Sequence, residues 1–146
     1  AFSAAAAALG HELTVPTVGQ TVILTRVNGR ASQMPAGEDL ATLGASKSTL
    51  CIHLAAHDIE RVVAELVPNY GADCPVAVVA YASRPQEQIV RGTLADIAGK
   101  VTAAGIVRTA IIIVGKVLTA GEFLDSFLYS DDRPRDEEGR TIPCAH

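Results

Sequence analysis

The stretch Arg108-Thr-Ala-Ile-Ile-Ile-Val-Gly115 decides the fold class. Ala110 to Val114 run without a polar interruption, the Ile and Val residues are β-branched, and the run stops at a glycine. Branched side chains are stiff at χ1 and suit a pleated strand, and an unbroken apolar run, unlike an alternating one, predicts a strand covered on both faces. Each fully buried Ile or Val contributes roughly 1.5–3 kcal/mol. The segment can therefore anchor a core if the rest of the chain supplies layers above and below it.

Working outward, four further segments read as strands: residues 20–26, 48–54, 75–80 and 87–91, the last alternating as if one face were wet. Between them lie helical patterns. Ile59, Val62, Val63 and Leu66 fall at i, i+3, i+4 and i+7, one apolar stripe of a helix over 58–66 that Pro68 is expected to end. Thr93 with Asp96 resembles a capping box, opening a helix through Leu94, Ile97, Ala98 and Val101 to a stop at Gly105. A short helix over 38–43 buries Leu40 and Leu43, and Ala1 to Leu9 reads as a helix ended by Gly10. Val15 should be extended before Pro16, and Asn28-Gly29 should turn the loop that follows the first strand. Five strands separated mostly by helices make an α/β fold, a mixed five-stranded sheet with helices on both faces. The sheet is mixed because the third and fourth strands read as a hairpin.

Composition bounds the function. The chain has 146 residues, 49% of them hydrophobic and 19% charged, enough for one domain with a real core. A net charge of −4, with its 12 Lys and Arg scattered, argues against a nucleic-acid surface. No Trp is present, and the Phe and Tyr residues do not cluster with basic ones as a base-stacking platform requires. Cys51, Cys74 and Cys144 are odd in number and lack a CxxC spacing, which predicts neither a disulfide framework nor a thiolate zinc site and fits a reducing, cytoplasmic setting. No apolar run reaches the ~20 residues of a membrane span. Ala1 carries no N-cap before it and no initiator Met, so the chain reads as a piece entered partway through a helix.

The usual catalytic motifs are missing. His53 and His57 are four apart but lack the Glu of HExxH, so they read as a strand and a cap histidine, and no metal site is expected. Cys51 reads as a small core residue whose surroundings would raise its pKa. There is no GxGxxG, Walker A loop or GxSxG elbow, and Ser126 and Ser130 lack a partner base. The acidic run 131–138 reads as a solvated tail. What remains is small residues and turns at strand ends, Leu54-Ala55, Tyr81-Ala82-Ser83, Gly92 and Thr109-Ala110, where open α/β sheets collect ligands but where ordinary turns use the same residues.

One ordered series is more specific. Gln20-Thr-Val-Ile-Leu-Thr-Arg26, Asn28-Gly-Arg30, Met34-Pro35, Thr49-Leu50, His53-Leu54, Pro75-Val-Ala-Val-Val79, Ala82-Ser83, Glu87, Ile89-Val-Arg-Gly-Thr-Leu94 and Ala110-Ile-Ile-Ile-Val-Gly115 together resemble the C-terminal half of the tetrapyrrole methylases. Within that family the series is most similar to the precorrin-4 branch of cobalamin biosynthesis, and Ser126-Phe-Leu-Tyr129 also looks like that branch. The resemblance implies residues 1–10 as a remnant of an inter-domain helix, 11–129 as the C-terminal methylase domain and 130–146 as a flexible polar tail. It implies S-adenosylmethionine folded in a cleft between two domains, with the glycine-rich half absent here, so that this chain alone is inactive.

By the same resemblance Ser3, Leu54, Ala55, Gly92, Thr109 and Ala110 contact the cofactor, Gly92 being the glycine after the fourth strand. Arg26 and Arg30 are then the partners for carboxylates of a tetrapyrrole (precorrin) substrate, since a guanidinium binds a carboxylate as a bidentate fork. No catalytic side chain is assigned, because methyl transfer from a sulfonium to carbon depends on alignment more than on a strong acid. The full-length protein is expected to be a homodimer. The competing reading is a non-catalytic α/β module that kept the sheet and serves as a dimerisation or partner-binding domain.

Overall fold

Residues Ala110–Val114 form the middle strand of a five-stranded sheet in the computed structural model, which describes residues 1–27 and 33–119. The strands are β1 (Val22–Arg26), β2 (Thr49–His53), β3 (Pro75–Ala80), β4 (Gln88–Thr93) and β5 (Ala110–Val114), in spatial order β1-β2-β5-β3-β4. Every residue of β5 is buried, and the side chains alternate between two cores as the period of a strand requires. Ala110, Ile112 and Val114 join Leu50, Ile52, Val76 and Val78 on one face. Ile111 and Ile113 join Cys51, Ala77 and Val79 on the other.

The first core is roofed by α2 (Leu40–Gly44), α3 (Ile59–Tyr70) and α4 (Ile97–Ala103). The stripe expected on α3 is realised, with Ile59, Val62 and Leu66 buried and Val63 partly so. The second core is covered by α1 (Phe2–Leu9), by Leu13 and Val15, and by Val117 and Leu118 of the 3₁₀ turn Lys116–Thr119. Thr49 is buried against this layer, and its hydroxyl donates to the Leu13 carbonyl at 3.1 Å, which satisfies the group and pins the 11–19 segment to β2. A guanidinium N–H of Arg91 donates to the Leu9 carbonyl at 2.9 Å, tying the end of α1 to β4. Helices therefore lie on both faces, as expected.

The sheet is mixed. β1 and β2 are parallel, while β5 runs antiparallel to both β2 and β3, and β3–β4 is the expected hairpin. This topology positions the site, because the C-terminal ends of β1, β2 and β3 and the N-terminal end of β5 all meet at one edge of the sheet. Gly10 (φ 61°) and Gly105 (φ 66°) provide the left-handed residues that close α1 and α4. After α4, Gly105 N–H donates to Thr102 and Ile106 N–H to Val101, satisfying the last carbonyls.

Three expectations need correction. Pro68 does not end α3, which continues to Tyr70: Asn69 donates its side-chain amide to the Ala41 carbonyl at 2.8 Å and Tyr70 donates its hydroxyl to the Ser48 carbonyl, so packing holds the last turn. The helix after β4 starts at Ile97 and not at Leu94. Asp96 spends its carboxylate on the Thr93 N–H at 2.8 Å, which is one half of the capping box, but across a turn that precedes the helix. Gly92 lies inside β4, opposite Val76, and not after the strand. The Asn28-Gly29 turn, Arg30, Ser126–Tyr129 and the boundary expected at residue 130 fall outside the described residues.

Candidate functional site

Three strands end in residues that bend the wrong way for their side chains. Leu54 follows β2, Tyr81 follows β3 and Thr109 precedes β5, and their φ angles are 57°, 54° and 53°. None is glycine, and a left-handed backbone costs a side-chain-bearing residue roughly 1–2 kcal/mol. Such strain persists where surrounding structure enforces it, and it clusters at ligand sites. Here the pairing of Ala80 with Ala110 puts Tyr81 beside Thr109, and the pairing of His53 with Ile111 puts Leu54 beside Ala110.

These residues line a cavity of about 540 Å³, within the ~300–1,000 Å³ range of small-molecule sites. Its apolar walls include Leu54, Val79, Val107 and Ile111, and the first turn of α1 closes it through Ala1 and Ala4. Leu54 is 70% exposed and Val107 62%, an unusual display of apolar surface at the mouth. The ionisable side chains on the lining are His53, His57, Tyr81, Arg84 and Arg108, with no carboxylate among them. Burial, helped by the charge of the chain's N-terminal amine, holds the His53 imidazole below its ordinary pKa, so it is neutral at pH 7. Among the described residues, no three His, Cys, Asp or Glu side chains come together as a metal site. Cys51 is fully buried in the second core, where burial pushes its thiol up to about 11, in keeping with a packing role.

A second groove, of about 440 Å³, opens beside the first. Arg26 lines it with Leu24, Met34 and Glu38, and His53 borders both spaces. Arg26 and His53 are register partners at the parallel ends of β1 and β2. The two hollows therefore adjoin across one imidazole.

The residues expected at a cofactor site are distributed unevenly. Leu54, Thr109 and Ala110 line the larger cavity. Ala55 is buried just beneath, in the first core, and is not on the lining. Ser3 is exposed on α1, between the lining residues Ala1 and Ala4. Gly92 lies at the far end of the sheet: it pairs with Val76, whereas the cavity is at Ala80, four residues and about 13 Å along β3. A Cβ at Gly92 would run into Asp96 Oδ1, so the missing side chain serves the Asp96–Thr93 contact. Sequence reasoning placed Tyr81 among the strand-end residues where a ligand could collect but not among the cofactor contacts, and it gave His53, Arg84 and Arg108 no place in the site. Their convergence depends on strand order, which no local motif encodes.

The arrangement can hold an apolar, planar or adenosine-sized group against bent backbone and offer cationic side chains at the rim. It contains no nucleophile paired with a base. Comparison with known proteins gives the family. The model of the Tetrapyrrole (Corrin/Porphyrin) Methylases matches residues 1–98. Precorrin-4 C(11)-methyltransferase of Rhodococcus erythropolis is 57% identical over 135 residues, which is 92% of this chain and 54% of that protein. The X-ray structure of the cobalamin biosynthetic enzyme cobalt precorrin-4 methyltransferase, CbiF, superposes with a TM-score of 0.77 at 39% identity, covering 81% of this chain and 49% of that one. A uroporphyrin-III C-methyl transferase from Thermus thermophilus, complexed with S-adenyl homocysteine, shares the fold at TM-score 0.60 and 22% identity. The chain spans about half the length of the curated relatives it matches.

Proposed function

Because this chain belongs to the tetrapyrrole (corrin/porphyrin) methylase family, we propose that it forms the cofactor-cleft half of an S-adenosylmethionine-dependent enzyme that methylates precorrin-4 at a ring carbon, C(11) by its relatives' names. The observation that carries this reading is the 540 Å³ cavity framed by Leu54, Tyr81 and Thr109, in a chain 57% identical to those methyltransferases over 135 residues.

The cofactor supplies an electrophilic methyl group on a sulfonium. The chain's own contribution is positional. Leu54, Val107 and Ile111 exclude water from an adenosine-sized group, and the bent backbones of Leu54 and Thr109 shape the wall it lies against. Arg26, in the adjoining space, binds acid side chains of the macrocycle together with Arg30, and His53 lies at the boundary where donor and acceptor would meet. Alignment of this kind accounts for large rate effects without a side-chain acid or base. Turnover needs the part of its relatives' length that this chain does not span, and the complete enzyme is a homodimer.

The test is calorimetric titration of this chain with S-adenosylhomocysteine, with ATP as the control for general adenine affinity. Selective binding, even if weak, supports the reading. No selective heat, either from this chain or from a version extended to the relatives' full length, contradicts it and favours the non-catalytic module.

A further inference from the structure

The described residues include five arginines, at 26, 61, 84, 91 and 108. Two are engaged: Arg61 pairs with Asp58 and Glu65, and Arg91 donates to the Leu9 carbonyl. The other three have neither an ion pair nor a side-chain hydrogen bond among the described residues, and all three lie at the same edge of the sheet. Arg84 and Arg108 line the cavity, and Arg26 lines the groove beside it. The nearest carboxylate in the β3–β4 connection, Glu87, is spent on the Ser83 N–H at 2.8 Å. Glu38 is the carboxylate on the groove, and it forms no ion pair with Arg26 among the described residues.

We propose that Arg84 and Arg108 complete, with Arg26, a carboxylate-reading rim that orients the acid side chains of the tetrapyrrole acceptor over the cavity mouth. This assignment rests on the methyltransferase reading above and adds Arg84 and Arg108 to it. Two observations select the acceptor over the amino-acid end of the cofactor. The first is the sign of the charge. Arg84 and Arg108 are guanidinium groups on a lining that holds no carboxylate to offset them, and they favour a polyacid. The second is the span. β1, which ends at Arg26, and β3, which leads to Arg84, are three strand spacings apart, about 14–15 Å between backbones. One carboxylate cannot serve both ends of that span, whereas a flat macrocycle with acid arms on its periphery can. Guanidinium groups match carboxylates as two-pronged donors, which fixes orientation as well as adding affinity.

The probe is uroporphyrin III, a fluorescent octacarboxylate, titrated into the chain at low and moderate salt, with S-adenosylhomocysteine titrated in parallel. Arg84→Gln and Arg108→Gln should each raise the uroporphyrin Kd by about 3–10-fold, with the difference shrinking in salt. Both should weaken S-adenosylhomocysteine by less than they weaken uroporphyrin, and Arg61→Gln should leave both ligands unaffected. Thermal melts of each variant confirm that it is folded. Coproporphyrin, a tetracarboxylate, should bind more weakly than uroporphyrin. No uroporphyrin binding by the unmodified chain, or a double variant that binds it as tightly as the parent, overturns the rim. So do variants that weaken S-adenosylhomocysteine alone. If uroporphyrin binding is arginine-dependent while S-adenosylhomocysteine fails to bind, the rim stands and the cofactor reading falls.

Discussion

The backbone N–H of Tyr81 donates to the carbonyl of Thr109 at 2.8 Å, and both residues hold left-handed backbones. This bond adds a rung to the β3–β5 ladder just beyond the strands, so two strained residues are locked by each other and by the sheet beneath them. It also fixes the height of one strand end against the next, and that step is the wall of the cavity. Among the described residues, Leu54, Tyr81, Ser83 and Thr109 hold positive φ angles at this edge, while Thr17 and Lys47 do so elsewhere.

Relaxing that strain should separate stability from binding. Leu54 is 70% exposed, so Leu54→Gly removes little packing while relieving its positive φ. Strain relief of roughly 1–2 kcal/mol against about 0.4–1 kcal/mol of added chain entropy predicts a net gain of about 0–1.6 kcal/mol. Urea unfolding should register that gain, while S-adenosylhomocysteine binding weakens through loss of an apolar wall. A clearly less stable variant would show that Leu54 packs in a way its exposure hides.

The central strand should behave as the anchor of both cores. Ile112→Ala should cost about 2–5 kcal/mol, because Ile112 is fully buried between Ile52 and Val78 of its neighbouring strands. Val107→Ala, at a position 62% exposed, should change stability by less than about 0.5 kcal/mol. Similar losses at the two sites would refute the layered core.

How much of this was legible in the sequence depends on how local each feature is. The bounds of β3 agree to the residue, and β5 was recognised from its unbroken apolar run, because side-chain period and branching are properties of the segment itself. Strand order is not. That β5 separates β2 from β3 depends on pairings across dozens of residues, and only that order brings His53, Tyr81, Arg84 and Arg108 to one edge. The positive φ angles were invisible for another reason: Leu, Tyr and Thr are not the residues that announce a left-handed turn. Pro68 misled because contacts made by Asn69 and Tyr70 outweigh a local helix-breaking preference.

Gly92 should prove structural. Gly92→Ala forces Asp96 aside, costing its bond to the Thr93 N–H and its 2.6 Å ion pair with Lys100, so the melting temperature should fall by a few degrees. S-adenosylhomocysteine affinity should be unchanged. Lost affinity in a variant that melts normally would return Gly92 to the cofactor site.

The buried thiols set an alkaline limit. Burial raises Cys51 from 9.0 to about 11 and Tyr70 from 10.0 to about 12, and it raises Cys74 as well. The folded state therefore holds these protons more tightly than the unfolded chain. Stability from these groups is complete below pH 9 and is lost as pH rises through 9 to 11 and beyond. Urea midpoints at successive pH values should fall over that window, and peptide mapping after alkylation at pH 8 should find Cys51 and Cys74 unmodified until urea is added. Rapid native labelling of Cys51 would contradict its place in the core.

The most direct measurement is amide chemical-shift mapping of the labelled chain during titration with S-adenosylhomocysteine. The largest changes should fall on Leu54, on Tyr81 and Ala82, and on Thr109 to Ile111, all at one edge of the sheet, with little change from Gly92 to Lys100. Saturable shifts centred on the Gly92–Asp96 end, with none at Leu54, Tyr81 or Thr109, would contradict the claim that the strained strand ends form the cofactor site.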